Sequence, residues 1–136
     1  MDNNCTIYAE MHLSFDNDFD VYSITERLGI QPTNCKLRTE TLVSPLTNKY
    51  NEGFWTLKTE EKEEWDSKVV LDELMEKIID KLPEIKKICD ENAGTVTFDI
   101  VPCFHNNSKP ALYFERDFLD VVNYLDGTIQ IDLYVE

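Results

Sequence analysis

Residues 5–15 alternate without interruption: Cys5, Ile7, Ala9, Met11, Leu13 and Phe15 fall on one side, and Thr6, Tyr8, Glu10, His12 and Ser14 on the other. Only an extended chain, with its period of two, places those apolar side chains together, so the segment is read as a long strand with one buried face. Such a strand belongs to a sheet that is covered on one side and wet on the other. That is the habit of antiparallel sheets, since parallel sheets bury both faces.

The remaining segments are read against this strand. Asp16-Asn17-Asp18 is turn chemistry, and Asp20 is placed to cap a helix in which Val21, Ile24 and Leu28 recur at helical spacing. Asp16, Asp18 and Asp20 share the spacing of a calcium loop, but the glycine and distant glutamate of that loop do not follow, so a turn plus cap is expected. Gly29 ends the helix and Pro32 prevents its return. Cys35 to Val43 alternates weakly, as an edge strand does, and Ser44-Pro45 and Asn51-Glu52-Gly53 mark a loop before a short strand, Phe54–Leu57. Val70, Leu71, Leu74, Ile78, Leu82, Ile85 and Cys89 form one helical stripe, which Pro83 either kinks or divides into two helices. Residues 95–105 alternate again, and Asn106-Asn107-Ser108 is placed to turn a hairpin into Ala111–Phe114. A short helix over Arg116–Leu125 and a last strand over Thr128–Val135 follow, the strand with Ile129, Ile131, Leu133 and Val135 on its buried side. The expected fold is a single α+β domain over residues 1–136: a largely antiparallel sheet with helices on one face, related to the split β-α-β (ferredoxin-like) arrangement, its strand order open.

Nearly the whole chain also resembles a known family. Ile24-Thr-Glu-Arg-Leu-Gly-Ile-Gln-Pro-Thr33, the aromatic strand with Gly53-Phe-Trp55, the Leu- and Ile-rich helix after it, Phe118-Leu-x-x-Val-x-x-Leu125 and Ile129-Gln-Ile-Asp-Leu-Tyr-Val135 occur in the order found in the bacterial domain-of-unknown-function family 4279. The resemblance implies a fold and a bacterial or phage origin, and it transfers no catalytic residue. Small proteins of this kind also resemble immunity partners in bacterial toxin systems, which is an association with function and not a physical argument for it.

Charge narrows the functions further. The 136 residues hold 27 acidic and 13 basic side chains, a net charge of −14. A surface of that sign repels phosphates and anionic lipid headgroups, so neither a nucleic acid nor a membrane is an expected partner. No apolar run of about 18 residues is present to span a bilayer. The start, Met1-Asp-Asn-Asn-Cys5, has neither the basic nor the apolar region of a signal peptide, so the cytoplasm is the expected location. Cys5, Cys35, Cys89 and Cys103 show no paired spacing, and only Cys103-x-His105 approaches a ligand pair, so no metal site is expected. His12 and His105 are read as ordinary sheet residues. Phosphate-binding, nucleophile-elbow and zinc-protease motifs are all absent, and neither a cofactor nor catalysis is expected.

Two surfaces remain as candidates. The first is acidic: the run Glu60, Glu61, Glu63, Glu64, Trp65 and Asp66, together with the wet sheet face bearing Tyr8, Glu10, Asp132 and Tyr134, would bind a protein partner. Its bland counterpart is a solvated loop, a helix N-terminus and an ordinary wet face. The partner it fits is a basic protein that this chain neutralises or regulates, such as a nuclease toxin restrained by an immunity-type inhibitor. Whether the chain is a monomer or a homodimer stays open. The second surface is the basic interruption over residues 27–58, where Lys36, Arg38 and Trp55 would hold an anionic metabolite in a small-ligand sensor.

Overall fold

The computed structural model describes residues 5–41, 51–64, 66–105 and 110–135. Its elements are β1 (Thr6–Phe15), α1 (Tyr22–Leu28), β2 (Asn34–Lys36), a 3-10 turn (Arg38–Glu40), β3 (Gly53–Lys58), β4 (Lys62–Glu63), α2 (Lys68–Ile78), a second 3-10 turn (Ile79–Lys81), α3 (Leu82–Asn92), β5 (Thr95–Phe104), α4 (Arg116–Tyr124), β6 (Thr128–Ile131) and β7 (Tyr134–Val135). The main sheet runs β2-β3-β1-β5-β6, with β4 also paired to β1 and β7 to β5.

This order contains two interlocked split β-α-β units. β1 and β2 both pair antiparallel with β3 between them, so α1 connects two parallel strands separated by a third. β3 and β5 likewise flank β1, and α2 and α3 make that crossover. The ferredoxin-like expectation is thereby met, and α4 adds β6 parallel to β5 at one edge. The domain is α+β, mostly antiparallel, with its helices on one face.

The periodicity of β1 explains the layer. Ile7, Ala9, Met11, Leu13 and Phe15 are all buried, while Thr6 to Ser14 on the other face are half-buried. Ile24 and Leu28 of α1, Leu71, Leu74 and Ile78 of α2, Ile85 and Ile88 of α3, and Phe118 of α4 join the same core. Phe118 meets Phe98 of β5 edge-on at 5.4 Å, which fixes α4 on the covered side. Pro83 divides the long helical stripe instead of kinking it. It occupies the first turn of α3, where its missing N–H is not needed.

Several expectations are corrected. The edge strand over Cys35–Val43 stops at Lys36, because the Glu40 side chain accepts the Leu37 N–H at 2.8 Å and folds the chain into a 3-10 turn. Val43, Ser44 and Pro45 lie outside the described residues, as does the turn Asn106–Ser108. Ala111–Phe114 forms no strand. Ala111 makes one bridge to Asp66, and the segment is held by buried Ser67, whose hydroxyl donates to the Tyr113 carbonyl at 2.8 Å and accepts from its N–H at 3.1 Å. The last strand is broken at Asp132-Leu133 into β6 and β7. Its apolar side is largely uncovered: Ile129 is half-buried, and Ile131, Leu133 and Val135 are 41%, 56% and 77% exposed. They lie at the edge of the sheet, where no further strand pairs with β6 among the described residues. Asp20 accepts the Tyr22 N–H at 3.1 Å, but Val21 holds the cap position of α1.

Candidate functional site: an open acidic sheet face

The face of the sheet turned away from the helices gathers the side chains that the alternation predicts. Register sets the neighbours. Glu10 of β1 stands opposite Lys58 on β3 and Asp99 on β5, and Asp99 in turn stands beside Gln130 on β6. His12 lies between Thr56 and Thr97. Asp132 follows β6 with its N–H on the Ile100 carbonyl at 3.0 Å, and Tyr134 of β7 pairs with Cys103. Tyr8 lies one row from Glu10, its ring under the Lys58 ammonium at 4.0 Å.

The acidic run reaches the same face. β4 pairs with the start of β1, setting Glu63 opposite Thr6, and the Thr6 hydroxyl donates to the Glu61 carboxylate at 3.1 Å. Glu60, Glu61 and Glu63 are exposed, and Glu64 is half-buried with its carbonyl accepting from the Cys5 thiol. The two surfaces expected separately thus meet at Glu61. Lys62 pairs with Glu73 of α2, and Asp66 accepts the Lys68 N–H at 3.0 Å just ahead of α2, whose cap position is held by Ser67. Trp65 lies outside the described residues.

Carboxylates packed this closely perturb one another. Burial pushes the Glu10 carboxyl above its usual range, and the facing Asp99 pushes it further, with Lys58 opposing. Burial also raises Asp99, Asp132 adds to it, and Oδ1 of Asp99 is buried with no hydrogen-bond partner among the described residues. The Tyr8 hydroxyl is raised by burial and then by Glu10. His12 goes the other way. Burial lowers it, its Nδ1 is 2.8 Å from the Thr56 hydroxyl, and its ring stacks on Phe54 at 5.5 Å. Neutral imidazole is therefore the form expected at pH 7.

The pair makes a stability prediction. Glu10 and Asp99 hold protons more readily folded than unfolded, so their stabilising share is full below the unfolded range near about 4 and is lost as pH rises through the higher folded range. Like charges directly opposite on a sheet cost roughly 0.2–1 kcal/mol. Asp99→Asn is expected to raise unfolding free energy at pH 7 by about that much, with the gain shrinking toward pH 4. Urea denaturation at both pH values checks this. A loss at pH 7, or a gain that ignores pH, would contradict the pairing.

Lys36, Arg38 and Trp55 do not assemble. Trp55 is fully buried on the helix side, with its indole N–H donating to the Thr25 hydroxyl at 3.1 Å. It is a core residue and cannot line a ligand site. Lys36 pairs in register with Phe54, which puts it on the opposite face from Trp55. Arg38 is engaged by Asp18 at 2.8 Å. None of Cys5, Cys35, Cys89 and Cys103 forms a disulfide among the described residues, and burial pushes Cys35 and Cys89 up to about 11. Among the described residues no group of three or more His, Cys, Asp or Glu side chains is placed to hold a metal ion, and no helix is long and apolar enough to cross a membrane.

The fold and this face together identify the class of protein: an α+β domain with one sheet face left open. The chain belongs to the family described as Domain of unknown function (DUF4279), whose model matches residues 5–136. No curated protein and no solved structure matches it.

Proposed function

We propose that this domain is a protein-binding module whose open sheet face engages a basic surface on a protein partner and so blocks or regulates it. The observation that carries the reading is the convergence of Glu61, Glu10, Asp99 and Asp132 with Tyr8 and Tyr134 on a face that no helix covers among the described residues. Carboxyls raised by burial and by neighbouring carboxylates are under-compensated, and an arginine or lysine from a partner would supply the missing charge. Two tyrosines add rigid amphipathic contact area of the kind that anchors interfaces. A net charge of −14 steers a basic partner toward the domain and makes association salt-sensitive. A partner whose own site is built for phosphate, such as a nuclease toxin, has the matching chemistry, which is the immunity-type reading. The anionic-ligand reading has less support, because Trp55 is in the core and Arg38 is paired.

The test is affinity capture from a host lysate with the tagged wild type, with Glu10→Gln/Asp99→Asn/Asp132→Asn, and with Glu60, Glu61, Glu63 and Glu64 reversed to lysine together. The expected result is one stoichiometric basic protein held by the wild type at low salt, released at moderate salt, and weakened by roughly tenfold or more in each variant. A protein retained equally by all three would place the interface elsewhere. A partnerless wild type at both salts would overturn the reading.

A further inference from the structure

The helical layer carries a concavity of its own, independent of the sheet face. A cavity of about 530 Å³ lies between α2 and α4, within the usual size of a small-molecule site. Its floor is apolar: Leu71, Phe118 and Val121 are buried, and Met75 packs against the core beside them. Its walls are acidic, with Asp72, Glu76, Glu115, Asp117 and Asp120 set against one cation, Lys68.

The charge is unevenly answered. Lys68 stands where both helices begin and bonds Asp72 at 2.8 Å and Glu115 at 3.5 Å, which offsets part of the negative charge at that end. Glu76, Asp117 and Asp120 have no ion-pair partner among the described residues, and all three are exposed at the rim. An apolar floor calls for an apolar body, and a rim with surplus carboxylates calls for a positive head. An anion would meet repulsion at the rim, and a bare polyamine would leave the floor unused.

We propose that the groove between α2 and α4 is a binding site for small amphiphilic cations, molecules with an apolar body and an ammonium or amidinium head. The body lies over Met75 and Phe118, and the surplus carboxylates of the rim, Glu76, Asp117 and Asp120, draw the head. The groove spans the length of α2, about 16 Å at 1.5 Å per residue, which matches an extended chain of about a dozen heavy atoms.

Decyltrimethylammonium, kept below its micelle-forming concentration, is the probe. It is titrated into the full chain by calorimetry and by amide chemical-shift mapping, beside decyl sulfate (same body, opposite head) and tetramethylammonium (head alone). The expected result is saturable binding with shifts confined to α2, α4 and the Tyr113 segment, at least roughly tenfold tighter than decyl sulfate, and none for tetramethylammonium. Because the whole molecule is negative, a local readout is needed. Glu76→Gln/Asp117→Asn/Asp120→Asn changes only exposed side chains and leaves most of the net charge. It is expected to remove the preference for the cation. Equal binding of both decyl compounds, binding by the head alone, shifts centred on the sheet, no saturable binding, or an unchanged preference in the variant would each overturn the proposal.

Discussion

Trp55→Ala is expected to lower the unfolding free energy by about 3–5 kcal/mol, the usual cost of truncating a large buried aromatic. Trp55 is fully buried, packed in the core that unites β1, α1 and α2, and its indole N–H is satisfied by Thr25 across the layer. The substitution removes the apolar contact, opens a cavity the flanking strands cannot close, and strands the Thr25 hydroxyl. Against a total stability of about 5–15 kcal/mol for a domain of this kind, the variant is expected to be partly unfolded at 37 °C. Urea denaturation followed by far-UV circular dichroism measures it. Trp55→Phe keeps most of the apolar area and is expected to recover more than half of the loss. A change below about 1 kcal/mol for the alanine variant would mean that Trp55 is not a core residue.

Gly94→Ala is expected to destabilise by about 1–3 kcal/mol, through overpacking. A Cβ at this position would lie 2.5 Å from Cε1 and 2.9 Å from Cζ of Phe15, and 3.1 Å from the Cys89 sulfur. The Phe15 ring cannot easily yield, because it is 1% exposed and packed on Phe19 at 4.8 Å. The left-handed residue that ends α3 is Ala93, with φ 54°, so Gly94 is required for close approach and not for its backbone angle. The control is Ala93→Gly, which relieves that angle and is expected to be neutral or slightly stabilising. Thermal unfolding of the two single variants separates the causes. A Gly94→Ala protein as stable as wild type would show that the Phe15 ring has room to move.

Those two residues show what the sequence could and could not convey. The strand over 5–15 was legible because eleven consecutive residues obey one period, and burial follows that period residue by residue. Tyr8, Glu10, Asp132 and Tyr134 were legible on the open face for the same reason. Asp99 as the direct neighbour of Glu10, and Glu61 as a member of the same face, depended on register and on β4 folding back onto β1, which no local pattern encodes. Trp55 was misread because a basic neighbourhood in sequence is not one in space: adjacent strand residues face opposite ways. The final strand was misread because alternation reports a potential face and not whether a helix covers it. The α2–α4 groove left only a faint trace, acids at 72, 76, 117 and 120 beside apolar stripes, since its walls come from helices far apart in the chain.

The position of β1 has a consequence for how the chain is made. β1 is the third of five strands across the sheet, and its partners β3 and β5 arrive much later in the chain. About 90 residues separate the start of β1 from the start of β5, so a ribosome adding about 5–20 residues per second leaves one edge of β1 unsealed for roughly 5–20 s. Throughout that interval the strand with the richest apolar face is a template for another nascent chain. Loop closure of this length is slow to reward itself, so the domain cannot mature piecemeal from its N-terminus. It should fold in one step after β5 has emerged, and a nascent chain halted before residue 104 should behave as a chaperone client.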